Sequence, residues 1–203
     1  MKLYNDKAAP NPRRVRIFLA EKGVEIPTVD INIMEEEHRS EAFTRLNPLQ
    51  RLPVLELDDG TVLAETVAIC RYVEELHPEP TLMGVDPLDR ARVEMWQRHI
   101  EMHLFWPIAQ CMRHLHPRLA ILEKPQVKEW GEANRGKSLE AFAWLDRELA
   151  GRRFVAGDRY TIADITALCA ADFARFARIE VPAEMTSYHR WYEDVSARPS
   201  ASA

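Results

Sequence analysis

Apolar and polar positions keep two different rhythms along this chain, and the change between them divides it. Lys2–Asn5 is a short strand candidate. Pro12 then stands where a helix accepts a first-turn proline, Val15, Ile17, Phe18 and Leu19 follow, and Gly23 stops the run. Val29, Ile31 and Ile33 alternate with polar neighbours, which predicts a second strand, and Glu35–Leu46 reads as a short polar helix. Pro53–Leu57 and Thr61–Ala64 flank Asp59-Gly60, a pairing that favours a tight hairpin turn. Glu65–Leu76 carries Val67, Ala68, Ile69, Tyr72, Val73 and Leu76 at helical spacing and ends before Pro78. The order is β-α-β-α-β-β-α.

After residue 78 the strand rhythm is gone. Pro80, Gly84 and Pro87 mark 79–88 as a linker. Asp89–Leu115, Val127–Ala150, Ile162–Ala177 and Ser187–Ser196 then all read as helices. The expected organisation is an α/β domain over 1–78, the linker 79–88 and an all-helical domain over 89–203, with the tail from Pro199 frayed.

Composition narrows the functional classes. Of 203 residues, 46% are apolar and 29% charged, which suits a folded globular protein and excludes a disordered one. A net charge of −5 argues against a dedicated nucleic-acid binder. No apolar run approaches the roughly 18 residues of a membrane span, and the first residues lack a signal-peptide core. Cys70, Cys111 and Cys169 are odd in number and far apart, so a disulfide framework is not expected and a reducing cytoplasm is.

Several motifs invite a chemistry they do not support. Gly131-Glu-Ala-Asn-Arg-Gly136-Lys137-Ser138 fits the phosphate-loop pattern, but no buried strand precedes it, and Leu139, Phe142, Leu145 and Leu149 continue as one helix face. His99 and His103 share a helix face without a recognisable third ligand, so no metal is expected. Thr161-Ile-Ala-Asp164 is a capping box that opens an apolar helix, which is a structural role. Two segments say more. In Asn47-Pro-Leu-Gln-Arg-Leu-Pro-Val-Leu55, Pro53 begins a strand; a cis Leu52–Pro53 bond would turn the Leu52 backbone outward to pair with an extended peptide-like ligand, and a trans bond would simply open an edge strand. Glu65-Thr66 starts a helix, where free N–H groups suit a ligand carboxylate, or where the pair is an ordinary cap.

Taken with LYND, RRVRIFLAEKG, NPLQRLPVLELDDGTVLAET and FVAGDRYTIADI, these segments resemble the cytosolic glutathione S-transferase superfamily over nearly the whole chain. The resemblance implies a thioredoxin-like N-terminal domain, an all-α C-terminal domain and a homodimer. Glutathione is the implied co-substrate, with no metal, and the partner substrate is a hydrophobic electrophile or a disulfide. On this likeness Leu52 and Pro53 hold the cysteinyl part of glutathione, Glu65 and Thr66 its γ-glutamyl end, and Gln50 and Arg51 its glycine carboxylate. Serine-type and cysteine-type members carry their reactive group after the first strand. Here no Ser or Cys precedes Ser40, and Ala9 takes the serine position, as in bacterial Nu-like members with Asn two places later. Asn11 is therefore the candidate sulfur donor or, before Pro12, a helix cap; Tyr4 is a further donor candidate. Met102, His103, Phe105 and Trp106 are the candidate walls of an acceptor pocket between the domains. Conjugation and disulfide reduction both fit this pattern. The alternatives are a glutathione-dependent isomerase or dehalogenase, and a non-catalytic protein of the same fold that binds a partner or an apolar ligand.

Overall fold

Alternation in the first strand decides the layout of the N-terminal half. In the computed structural model, which describes residues 1–203, β1 (Lys2–Asn5) turns Leu3 to one face of a sheet and Tyr4 to the other. Around it stand α1 (Pro10–Lys22), β2 (Thr28–Asp30), α2 (Glu41–Leu46), β3 (Val54–Glu56), β4 (Val62–Ala64) and α3 (Thr66–Leu76). Strand order is β2-β1-β3-β4, with β1 parallel to β2 and antiparallel to β3. Register sets Leu3 against Leu55 and Tyr4 against Val54. Leu3 and Leu55 are fully buried, each contributing roughly 1.5–3 kcal/mol relative to exposure. On the opposite face Tyr4, Phe43, Leu46, Leu52 and Val54 form one apolar cluster, with the Tyr4 and Phe43 rings edge to face at 6.0 Å.

The helices α1 and α3 pack on each other. At their C-terminal ends the side chain of Lys22, itself without solvent exposure, pairs with Glu74 and donates to the carbonyls of Pro78 (3.3 Å) and Pro80 (2.5 Å). One buried cation thus ties two helices to the chain that leaves them. Gly23 closes α1 at φ 63°, where a glycine has no Cβ penalty.

Between β2 and α2 the expected polar helix is broken. Two short 3₁₀ turns, Ile33–Glu35 and Glu37–Arg39, precede α2. The Asn32 carboxamide oxygen accepts from Met34 and Glu35, Asp6 accepts from the Ile33 N–H at 3.0 Å, and Glu36 sits at φ 59°. Those local bonds hold the backbone out of a continuous helix, and Ser40 starts α2 afresh by accepting from Phe43.

The chain forms two compact units, Met1–Thr81 with Ser202–Ala203, and Leu82–Ala201. The second is all helical: α4 (Pro87–His99), a π-helical stretch Ile100–Phe105, α5 (Trp106–Leu115), α6 (Lys128–Leu149), α7 (Ile162–Phe176) and α8 (Thr186–Ser196). The first of these starts earlier than its periodicity predicts. Asp86 caps it by accepting from the Asp89 N–H at 2.9 Å, with Pro87 at the first helical position. Helix α7 is buried on almost every side, from Ile162 through Ala171. The phosphate-loop look-alike lies wholly within α6. Its Gly131 is there for packing: a Cβ would come within 2.6 Å of the Leu115 side chain on α5. The tail is not frayed, because Pro199–Ser202 makes a 3₁₀ turn and buries Ser200. All three cysteines are buried thiols. No helix is long and apolar enough to cross a membrane.

Candidate functional site

In the N-terminal unit Tyr4 pairs with Val54 and Val54 with Ala64, so the segments that lead into α1, β3 and α3, which carry the residues singled out above, share one end of the sheet. The Leu52–Pro53 bond is cis. Neither the N–H nor the C=O of the largely buried Leu52 is taken up by an intrachain hydrogen bond. The loop that delivers them is internally braced. Asn47 donates through Nδ2 to the Arg51 carbonyl (2.9 Å) and accepts from the Leu49 N–H (3.1 Å), and Gln50 Nε2 donates to Thr44 Oγ1 (3.0 Å). Gln50 itself adopts φ 54°, in the left-handed region where glycine is the easier residue. Arg51 is exposed, with its guanidinium available to solvent and ligands.

Glu65 is more constrained still. It sits at φ 72° and ψ 123° as the residue before α3 and makes no side-chain cap. A non-glycine residue held there is strained by about 1–3 kcal/mol, and such outliers gather at ligand sites. Glu65 is the N-cap by position, its carbonyl accepting from the Ile69 N–H at 3.0 Å, but its side chain caps nothing, so the first N–H groups of α3, with the buried Thr66 at its start, lack the usual side-chain acceptor.

Asn11 is not a cap either. Helix α1 begins one residue earlier, with Ala9 as N-cap and Pro10 at its first position, so Asn11 lies inside the first turn. Its Oδ1 accepts from Arg14 Nη2 at 3.0 Å, and its Nδ2 has no intrachain partner. The loop before it is pinned by Asp6, which accepts from the Ala8 N–H at 2.8 Å, and by Arg16, which donates to Asn5 Oδ1 and to the Asp6 and Lys7 carbonyls. Tyr4 is excluded as a sulfur donor. Its hydroxyl donates to Glu56 Oε2 at 2.8 Å, and burial together with that carboxylate raises its pKa. Arg14 escaped the sequence reading; its signal is the arginine one helical turn after Asn11.

In the helical unit, Met102, His103 and Trp106 line a cavity of about 650 Å³ with His99, Trp130, Lys137 and Trp144. Phe105 does not join them; it is buried and stacks on Phe173 at 6.3 Å. The π-helical stretch adds a residue to the turn and shifts which side chains share a face, a change that helical spacing alone does not foretell. The walls contributed by α6 were likewise invisible in sequence. His99 and His103 lie 6.2 Å apart between ring centres, and no group of three or more His, Cys, Asp or Glu side chains is placed to hold a metal ion.

The capping box is present, and it is a buried polar cluster. Asp164 is fully buried. Its Oδ1 accepts from the Val155 N–H (2.8 Å) and Trp191 Nε1 (2.9 Å), and its Oδ2 from the Thr161 N–H (2.9 Å) and hydroxyl (3.2 Å). Burial raises its pKa to about 6 against the pull of those four donors.

Comparison with known proteins agrees with this geometry. Residues 1–75 match the model of the glutathione S-transferase N-terminal domain, and residues 102–199 that of the C-terminal domain. Glutathione S-transferase 2 of Saccharomyces cerevisiae is 38% identical over 203 residues, covering 98% of this chain and 87% of the relative. A maleylacetoacetate isomerase of Pseudomonas aeruginosa is 31% identical over 175 residues, covering 81% and 77%. Among solved structures, a glutathione S-transferase domain-containing protein of Marinobacter aquaeolei VT8 superposes with a TM-score of 0.95 at 38% identity, over 98% of this chain and 99% of that one. The chain belongs to the glutathione S-transferase family.

Proposed function

We propose that this protein binds glutathione in its N-terminal unit, favours the thiolate, and directs it at an apolar electrophile or a disulfide. The observation that carries the reading is the unpaired backbone of Leu52, which offers one donor and one acceptor to the cysteinyl residue of the tripeptide. Glu65 holds the γ-glutamyl ammonium. Thr66 and the first N–H groups of α3 hold the γ-glutamyl carboxylate. Gln50 and Arg51 face the glycine carboxylate. Asn11 Nδ2 donates to the sulfur, and the N-terminus of α1 adds the positive end of its dipole. A neutral donor and a dipole end lower a thiol pKa modestly, so activation is weaker than a cationic partner would give.

The second substrate contacts Met102, His103 and Trp106. That Met102 and Trp106 are 60% and 58% exposed favours a second reading of the same face, contact with another copy of the chain in a homodimer. Met102→Arg separates the two: a raised KM with unchanged mass supports the first, and a halved mass the second. The relationship to a maleylacetoacetate isomerase keeps glutathione-dependent isomerisation open as an alternative reaction. Product analysis decides, since isomerisation regenerates glutathione and conjugation consumes it. For the thiol itself, Asn11→Ala is expected to raise the pKa of bound glutathione and lower turnover at neutral pH. An unchanged pKa and rate would remove Asn11 from the chemistry.

A further inference from the structure

We propose that Arg14 is a positioning residue that decides which end of the Asn11 carboxamide meets the glutathione sulfur; this rests on the role given to Asn11 above. A carboxamide presents an acceptor and a donor of nearly the same shape, and a rotation of the terminal bond exchanges them. Only the donor end stabilises a thiolate. What settles the choice is the neighbour one helical turn on. Arg14 is 4% exposed, and its Nη2 lies 3.0 Å from Asn11 Oδ1. A guanidinium has donors only and does not lose its proton. Turning the amide over would set the Asn11 NH₂ against those donors and strand a polar group, at a cost of about 1–3 kcal/mol. That is a preference of roughly five- to more than a hundredfold for oxygen inward and NH₂ outward. The charge also acts through the amide: donation to Oδ1 polarises the group and strengthens the N–H bonds at its other end. The Asn11 NH₂, without an intrachain partner, is then the end offered to a ligand.

The pKa of the bound glutathione thiol, followed by thiolate ultraviolet absorbance against pH, tests this in wild type, Asn11→Ala, Arg14→Met and the double variant. Arg14→Met is expected to raise that pKa by roughly half to one unit, three- to tenfold less thiolate below it. The double variant should match Asn11→Ala alone, because the arginine has nothing left to orient. Arg14→Lys should recover part of the shift, and affinity for S-methylglutathione, which has no thiol, should stay within about twofold. If Arg14→Met does not fold, Arg14→Gln gives the same readout, since its side chain tolerates either amide orientation. An unchanged pKa in the folded Arg14 variant, while Asn11→Ala shifts it, overturns the positioning role alone. So does a shift that persists in full in the double variant. No shift in Asn11→Ala overturns the sulfur-donor reading and this inference with it.

Discussion

The turn around Leu52 and the start of α7 handle polar groups in opposite ways. At Asp164 two carboxylate oxygens meet four donors inside the protein, drawn from Val155, Thr161 and Trp191. At Leu52 a backbone donor and acceptor are left without partners, and Glu65 beyond it is held at a positive φ with no side-chain cap. Both regions set polar groups, backbone or side chain, at the start of an element. The difference is closure: a cluster that satisfies itself supports the fold, and one that is braced yet unsatisfied is fitted for a ligand.

The largest effect should come from breaking the closed cluster. Asp164→Asn puts a donor among donors, and we expect a loss of about 3–5 kcal/mol, the scale of breaking a buried charged network, measured by urea unfolding. The pH dependence has a definite sign. Because Asp164 titrates near 6 in the fold and lower when unfolded, the folded protein binds its proton more tightly. Its contribution is fully present below about pH 4 and is lost as pH rises through about 6. Wild type should therefore exceed Asp164→Asn by more at pH 4 than at pH 7; the reverse ordering would refute the raised pKa.

Lys22→Met removes the cation that pairs with Glu74 and donates to two carbonyls, and the expected loss in the same unfolding measurement is about 3 kcal/mol, since Glu74 still accepts from the Thr81 hydroxyl. Glu65→Gly should do the opposite to stability and to binding. Relieving the positive φ should stabilise the protein by up to about 1 kcal/mol, while glutathione affinity by calorimetry falls at least about tenfold. A stability loss with intact affinity would return Glu65 to a structural role. Smallest of all is Tyr4→Phe: about 0.5–1 kcal/mol for the lost bond to Glu56, with no change in the thiol pKa of bound glutathione.

Much of this was legible from residues because local rules and tertiary packing agree. The Lys2–Asn5 strand, the Asp59-Gly60 turn and the Thr161–Asp164 box each act within a few residues, and each appears in the structure. What could not be read depends on partners distant in sequence or on irregular turns. Asn11 looked like a cap beside Pro12, but Pro10 starts the helix a residue earlier. The break at Glu36 follows from Asn32 and Asp6 bonding the backbone. Phe105 parts from Met102 and Trp106 because the π-helical turn changes the residue count, and Trp130, Lys137 and Trp144 reach the same cavity from another helix. The strain at Glu65 has no sequence signature beyond the Glu-Thr pair.

The most direct measurement is calorimetric titration of the folded protein with reduced glutathione. Saturable binding at one site per chain is expected, with affinity at least about tenfold lower in Thr66→Val, whose fold should persist. No saturable heat from the folded wild-type protein would contradict it, and the unpaired backbone at Leu52 would then have to serve some other ligand.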